Sequence, residues 1–451
     1  MQHSTDKSLA GDPPAASIAS GCPFHPGQEP ATAPGADAVI EPLPEPALEA
    51  GSRFPLPRKH PFNPPPEYAE RGEKEPVRRI TQWNGRPAWF VTRYADIRAL
   101  LMDPRTSADA AHPAYPAQNA ALSLVRKEYQ VFAQMDPPEH TAERRLLAGE
   151  FSVRRVELMR PKVQSIVDEL IDRIAAKDGA ADLASDFAMP LPCRVICTLL
   201  GVPEQDQAAI QEWAKTITSL NTTREQAAEL TKEFCDGYLT DLVRSKDADP
   251  QDDLLSRLIV DHLRPGTVSV RKVVSLARLL LTAGHESSTG TLGVGMAALL
   301  YHPDQLELLR NDPSLIKSAV EEILRFTDIT HSGRLRTARE DIEIGGVTIK
   351  AGEAIIMHQP TADREAAVFD DPHRFDITRN PRQHLAFGTG IHGCVGQPLA
   401  RMELQLGIGT LVQRLPGLKP ALPLESLRFN DAMAIYGIES LPVTWQGAAG
   451  A

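Results

Sequence analysis

One cysteine, Cys394, stands inside a glycine-studded run, HLAFGTGIHGCVGQPLAR from His384 to Arg401. Gly388, Gly390, Gly393 and Gly396 surround it, and Leu399, Met402, Leu406 and Leu411 follow at helical spacing. Glycine accepts dihedrals that other residues resist, so such a loop lets backbone come close to a flat ligand. A thiolate held there faces the amide N–H groups of the helix that follows, and these stabilise its charge. A lone cysteine in a glycine-rich turn is more commonly a buried structural thiol, so the surrounding pattern has to carry the argument.

A second group, Ala283-Gly284-His285-Glu286-Ser287, falls in the middle of the longest helical pattern. Small residues there allow close helix packing, although glycine costs roughly 1 kcal/mol relative to alanine. A carboxylate beside a hydroxyl points further, because buried charge is expensive and usually has a task. Glu322 and Arg325 are spaced to lock together on a helix, yet about one Glu-x-x-Arg is expected by chance in such a chain. His140, Arg144, Arg336 and His392 would each, taken alone, be ordinary surface groups. Cys193 and Cys197 sit four apart, but no nearby His or further Cys completes four metal ligands, so they read as core.

The elements that must position these groups are mostly helical. From Ala95 to about Tyr301 apolar residues recur at three and four, as in Val163, Ile166, Val167, Leu170, Ile171 and Ile174. The longest helix is expected from about Ser269 to Tyr301, on the order of 50 Å long, and is apolar on most of its circumference. Val77 to Thr92 predicts a hairpin turning at Gly85, and DIEIGGVTI and EAIIMH predict further strands after a helix from Ser314 to Phe326. Residues 1 to 66 hold 15 of the 38 prolines and predict an irregular opening over 1–53, with one mixed domain over 54–447.

Composition narrows the function. The 451 residues are 42% hydrophobic, and 48 Lys and Arg against 59 Asp and Glu leave a net charge of −11. That charge argues against nucleic acid or an anionic membrane as partner and favours a small molecule or another protein. No run reaches the roughly 20 apolar residues of a membrane span, and no signal-peptide pattern opens the chain. Five scattered cysteines (Cys22, Cys193, Cys197, Cys235, Cys394) argue against a secreted disulfide framework. The expected location is cytoplasmic.

Phe387-Gly388-x-Gly390-x-His392-x-Cys394-x-Gly396 holds six residues at set spacing, and it resembles the haem-binding loop of the cytochrome P450 family. The resemblance covers all but the first 50 or so residues, and GHESS and HLAFGTGIHGC look closest to soluble bacterial members of secondary metabolism. It implies a mainly α fold with small β-sheets, and haem b between the long central helix and the Cys-loop helix. Cys394 becomes the iron ligand, with Phe387, Gly388, Gly396 and Ala283 beside the cofactor and His140, Arg144, Arg336 and His392 on its propionates. Glu286 and Ser287 match the family's oxygen-activation motif, in which the helix opens locally, an acid communicates with solvent and an alcohol supports proton delivery. Serine stands where threonine is commonest. Glu322 and Arg325 match a fold-maintaining network whose third member the same reading places at Arg374.

The implied reaction is monooxygenation: one oxygen atom enters a C–H or C=C bond and the other becomes water. Only about 50 residues follow Arg401, with no flavin or ferredoxin module among them, so electrons are expected from NAD(P)H through a ferredoxin reductase and a ferredoxin. The ferredoxin is expected to dock on Arg379, Arg382 and Arg401. Peroxide-driven oxidation, oxidative coupling, nitric-oxide reduction, a non-catalytic haem sensor and, more remotely, a cysteine hydrolase remain open. By family position the substrate pocket is expected along Ala108 to Phe132, Trp213 to Lys232, Ala283, Asp328 to Gly333 and Asp431 to Ile435, with Thr330, His331 and Asn430 as hydrogen-bonding candidates.

Overall fold

The computed structural model describes residues 54–116, 118 and 120–446, which belong to one compact unit. The proposed irregular segment 1–53 and Cys22 lie outside the described residues.

Helices dominate the described residues, as the periodicity predicts, and the strands form small sheets of five, three and two. The expected hairpin forms between strands Val77–Thr81 and Pro87–Val91, with Val77 opposite Val91 and Gly85 at φ 79° in the turn. Pro87–Val91 pairs in parallel with Ala354–Met357, which pairs antiparallel with Arg334–Ala338, and Thr106–Ser107 closes this five-stranded sheet. Gly345 and Gly346 turn the separate hairpin of Ile342–Ile344 and Val347–Ile349.

Successive strand residues point to opposite faces. In Arg334–Ala338, Leu335 packs with Phe54, Tyr68, Phe90 and Ile356, which sends Arg334 and Arg336 to the other side, and Arg334 there reaches the Ala386 carbonyl of the cysteine loop.

The long helix runs from Val270 to Leu300, within one residue of its predicted ends, capped where the Ser269 side chain accepts from the Lys272 amide. Its small residues set its neighbours. A Cβ on Gly284 would come 2.9 Å from Ile196 Cδ1 of helix Pro190–Leu200, and one on Gly295 would come 2.5 Å from Ile323 of helix Ile316–Thr327. The close-packing reading of Gly284 therefore holds. The backbone stays helical through Ala283–Ser287, and the Ser287 hydroxyl bonds back to the Ala283 carbonyl in that segment. The main core joins this helix to Val153–Ala175, Pro190–Leu200 and Gln397–Arg414.

Candidate active site

The cysteine loop is built by its own backbone. Gly388 and Gly390 adopt φ 67° and 70°, and a Cβ on Gly390 would come 2.6 Å from the Leu101 carbonyl oxygen. The Gly388 amide donates to Leu385 at 2.7 Å and the Cys394 amide to Phe387 at 2.9 Å, which folds the loop back on itself just before helix Gln397–Arg414 begins. Burial pushes the Cys394 thiol up, while Arg334, Arg144 and the amides of Gly396 and Gln397 act the other way. A positively polarised helix start with two guanidinium groups beside it suits a thiolate that becomes a ligand.

His140 and Arg144 lie four apart on helix Glu139–Ala148 and so share a face. Arg144 Nη2 donates to the Gly393 carbonyl at 2.6 Å, and the His140 ring lies 4.4 Å from that of His392. Arg336 is buried, donating to Leu335, and its charge is felt by both His140 and His392. Burial, then Arg336, His140 and Arg144, push His392 down to about 3. Both ring nitrogens of His140 and Nδ1 of His392 are shut off from solvent and make no well-formed hydrogen bond, the Ile391 backbone being the one polar group close to the His140 ring among the described residues. The structure therefore brings these four expected residues together beside Cys394, as a cationic cradle with unused donors. Arg334 joins them through the Ala386 carbonyl and was not foreseen; its place on the same strand face as Arg336, two residues away, was the available signal.

On the long helix, Ala283 is exposed and Glu286 is largely buried, its Oε1 3.3 Å from Nδ1 of the buried His285. Burial pulls His285 down, but Glu286 and Cys193 pull harder, so its protonation is favoured overall. The Ser287 hydroxyl donates to the Ala283 carbonyl at 2.6 Å, which leaves its oxygen only as an acceptor. Thr289 Oγ1, half a turn on, has no partner. A further acid, Glu403 on the helix after Cys394, is buried against the Ser288 hydroxyl and pushed up to about 8 by that burial. The sequence reading did not single it out.

Two expectations change. Arg374 is exposed and pairs with Asp376 and Asp371, touching the network only through its carbonyl, 3.4 Å from Arg325 Nη2. The third member of the network is Arg379, whose Nε lies 3.4 Å from Glu322 Oε1, while Arg325 grips the same carboxylate with two bonds of 2.8 Å. Consequently Arg379 is not available for docking, and Arg401 is held by Glu321 at 2.6 and 3.0 Å. Of the three cations expected to dock a ferredoxin only Arg382 stands exposed, with Lys317 across the same groove.

Cys193 and Cys197 are buried, their sulfurs 3.9 Å apart, and no metal-holding cluster occurs among the described residues, in keeping with a core role. In the expected pocket regions, Thr330 commits its hydroxyl to Asp328, His331 is buried and pushed down to about 4 by that burial, and Trp213 stacks on Phe234 at 3.9 Å.

The family model for cytochrome P450 matches residues 195–417. Cytochrome P450-SU2 of Streptomyces griseolus is 44% identical over 85% of this chain and 94% of its own length. The chain belongs to the cytochrome P450 family. The 20-oxo-5-O-mycaminosyltylactone 23-monooxygenase of Streptomyces fradiae is 38% identical over 87% of this chain and 92% of its own. The crystal structure of MoxA, a P450 from Nonomuraea recticatena, superposes with a TM-score of 0.81 at 41% identity, covering 88% of this chain and 99% of that one. The protein is thus a P450 monooxygenase, an oxidoreductase of the bacterial type, and its family carries haem. This P450's residues fit that group: the orphaned nitrogens of His140 and His392, next to Arg144 and Arg336, suit two buried carboxylates, and Cys394 at the helix start is placed to offer a thiolate. No described helix of this P450 is long and apolar enough to cross a membrane.

Proposed function

We propose that Cys394 ligates the iron of haem b and that the enzyme inserts one oxygen atom of O2 into a natural-product substrate, the other leaving as water. The supporting observation is the cradle itself: unpartnered His140 and His392 nitrogens, with Arg144 and Arg336, around one thiol at a helix start. When bound, haem supplies the iron chemistry that activates dioxygen, favoured by an electron-donating thiolate.

This chain's residues do the rest. His140, Arg144, Arg336 and His392 hold the propionates by charge-assisted hydrogen bonds. Phe387, Gly388 and Gly396 keep the loop compact and slim around the sulfur, and Ala283 keeps the facing helix low. Glu286 moves a proton between solvent and the pocket, as a carboxyl group can by alternating its protonation. Ser287, whose proton is committed to Ala283, offers its oxygen to a water or to substrate-side hydroxyl.

Electrons reach the site from NAD(P)H through a ferredoxin reductase and a ferredoxin, with Lys317 and Arg382 on the docking face. The substrate class rests on relatives such as the Streptomyces fradiae enzyme, which is by name a monooxygenase of a mycaminosyltylactone. The overall charge of −11 disfavours nucleic acid as a partner. The cytoplasm is the compartment in which such reduced partners work.

The test is to purify the protein with haem, record the ferrous carbon-monoxide spectrum, screen a natural-product library by haem spin-state shift, and follow product and NADPH with surrogate ferredoxin partners. A strongly red-shifted Soret band and oxygenated product are expected. A chain that takes up no haem, or oxygenates nothing that shifts its spin state, overturns the reading.

A further inference from the structure

Two guanidinium groups have no carboxylate partner among the described residues: the half-buried Arg126 on helix Ala120–Glu128 and the buried Arg278 on the long helix. Arg126 Nη1 is shut off from solvent and makes no hydrogen bond, while Nη2 donates to the neutral Gln118 Oε1 at 2.7 Å. Arg278 is 6% exposed; its Nη2 donates to the Tyr129 carbonyl at 3.1 Å and its Nε has no partner. Among the described residues no Asp or Glu hydrogen-bonds or pairs with either.

None of the titratable groups that face Arg126 or Arg278 directly is a carboxylate. Tyr115 faces Arg126, while Tyr129, Cys235 and Arg126 itself face Arg278. Burial pushes the Cys235 thiol up to about 12 and raises Tyr129 as well, so both stay neutral. Asp236 is engaged by the Tyr129 hydroxyl at 3.0 Å, and a third cation, Arg271, lies over the Tyr129 ring at 4.8 Å. A buried guanidinium with unpartnered N–H groups is costly, more so beside others. Its planar fork matches one kind of group best, a carboxylate taken two bonds at a time.

We infer that Arg126 and Arg278 form a recognition site for an anionic group of the substrate, a carboxylate above all. The inference rests on the monooxygenase reading and deepens it by giving the substrate a charge. Arg278 precedes Ala283 by five residues and Glu286 by eight, so the acid group anchors about 8–12 Å along the helix from the oxygen-activating segment. The oxidised carbon then lies on the order of 10 Å from the acid, which sets regiochemistry by length.

The experiment uses the haem-loaded full chain and three acids of different skeleton, dodecanoate, deoxycholate and indole-3-acetate, each against its methyl ester. Binding is read by Soret shift and by rise in melting temperature. At least one acid is expected to bind about 10-fold or more tightly than its ester. Arg126→Gln removes that preference, Arg278→Gln weakens it and Arg126→Lys keeps part of it. Esters binding as well as acids throughout, no binding by any acid, or a preference that survives both Gln variants overturns the inference. The melting arm needs no haem signal. Loss of the imidazole-induced Soret shift and of the carbon-monoxide band would mark failure of the P450 reading separately.

Discussion

Glu322 is gripped from two sides: Arg325 binds both of its oxygens at 2.8 Å, and Arg379, from a segment more than fifty residues later, closes on Oε1 at 3.4 Å. Glu322 and Arg325 are completely buried. Arg325 also donates to the carbonyls of Asp363 and Pro372, so the trio ties helix Ile316–Thr327 to the chain that leads into the cysteine loop.

Removing one partner leaves an uncompensated buried charge, at a cost of about 3–5 kcal/mol. Glu322→Ala and Arg325→Ala are therefore expected to give little soluble haem-loaded protein, and Arg379→Ala a clear fall in melting temperature. Arg374→Ala, at an exposed position, is expected to change stability by less than about 0.5 kcal/mol. Thermal unfolding of the four variants checks this; a larger loss for Arg374 than for Arg379 would restore the original assignment.

Cys394→Ser replaces a thiolate by a mostly protonated alcohol, a much weaker iron ligand. The ferrous carbon-monoxide complex is expected to lose its strongly red-shifted Soret band. Persistence of that band in the variant rules out Cys394 as the ligand.

The acid limb of the stability curve is expected to carry the mark of Glu321. Burial raises its pKa, but His384 and Arg401 more than offset this, leaving it at about 2 against an ordinary 4.5. A carboxylate held down in the folded state binds fewer protons there than in the unfolded chain. Its contribution, at most on the order of 3 kcal/mol, is thus complete above about pH 4.5 and disappears as pH falls toward 2. Denaturant unfolding from pH 6 to pH 3 is expected to show a shallower slope for Glu321→Gln than for the wild type; identical slopes would remove Glu321 as a contributor.

Glu286 and Ser287 separate by different readouts. Glu286→Gln is expected to slow turnover by about 10-fold or more, because an amide cannot pass on a proton. Ser287→Ala is expected to lower product per NAD(P)H and raise peroxide, without loss of haem or substrate binding. Since the Ser287 proton is tied to Ala283, Thr289→Val is the informative companion. Wild-type coupling in Ser287→Ala with uncoupling in Thr289→Val would transfer the hydroxyl's role to Thr289.

The proposed docking of an acidic ferredoxin on Lys317 and Arg382 would be screened by salt. Charge reversal at both positions is expected to raise the KM for ferredoxin severalfold and to flatten its dependence on ionic strength. Unchanged reduction kinetics across a salt series would place the docking surface elsewhere.

Whatever depends on neighbours in the chain was legible from the amino acids alone. Gly388 and Gly390 take the left-handed dihedrals that only their own type adopts freely, the long helix ends within a residue of where its apolar period stops, and His140 and Arg144 share a face because they are four apart. The cradle of His140, Arg144, Arg336 and His392 was reachable by motif. Tertiary structure decided the rest, because ion pairs between distant segments depend on packing rather than spacing. It chose Arg379 over Arg374 for Glu322 and tied Arg401 to Glu321. It also left the buried Arg278 and the half-buried Arg126 without an acid among the described residues, a circumstance no local pattern encodes, since it consists of what the folded chain fails to place beside them.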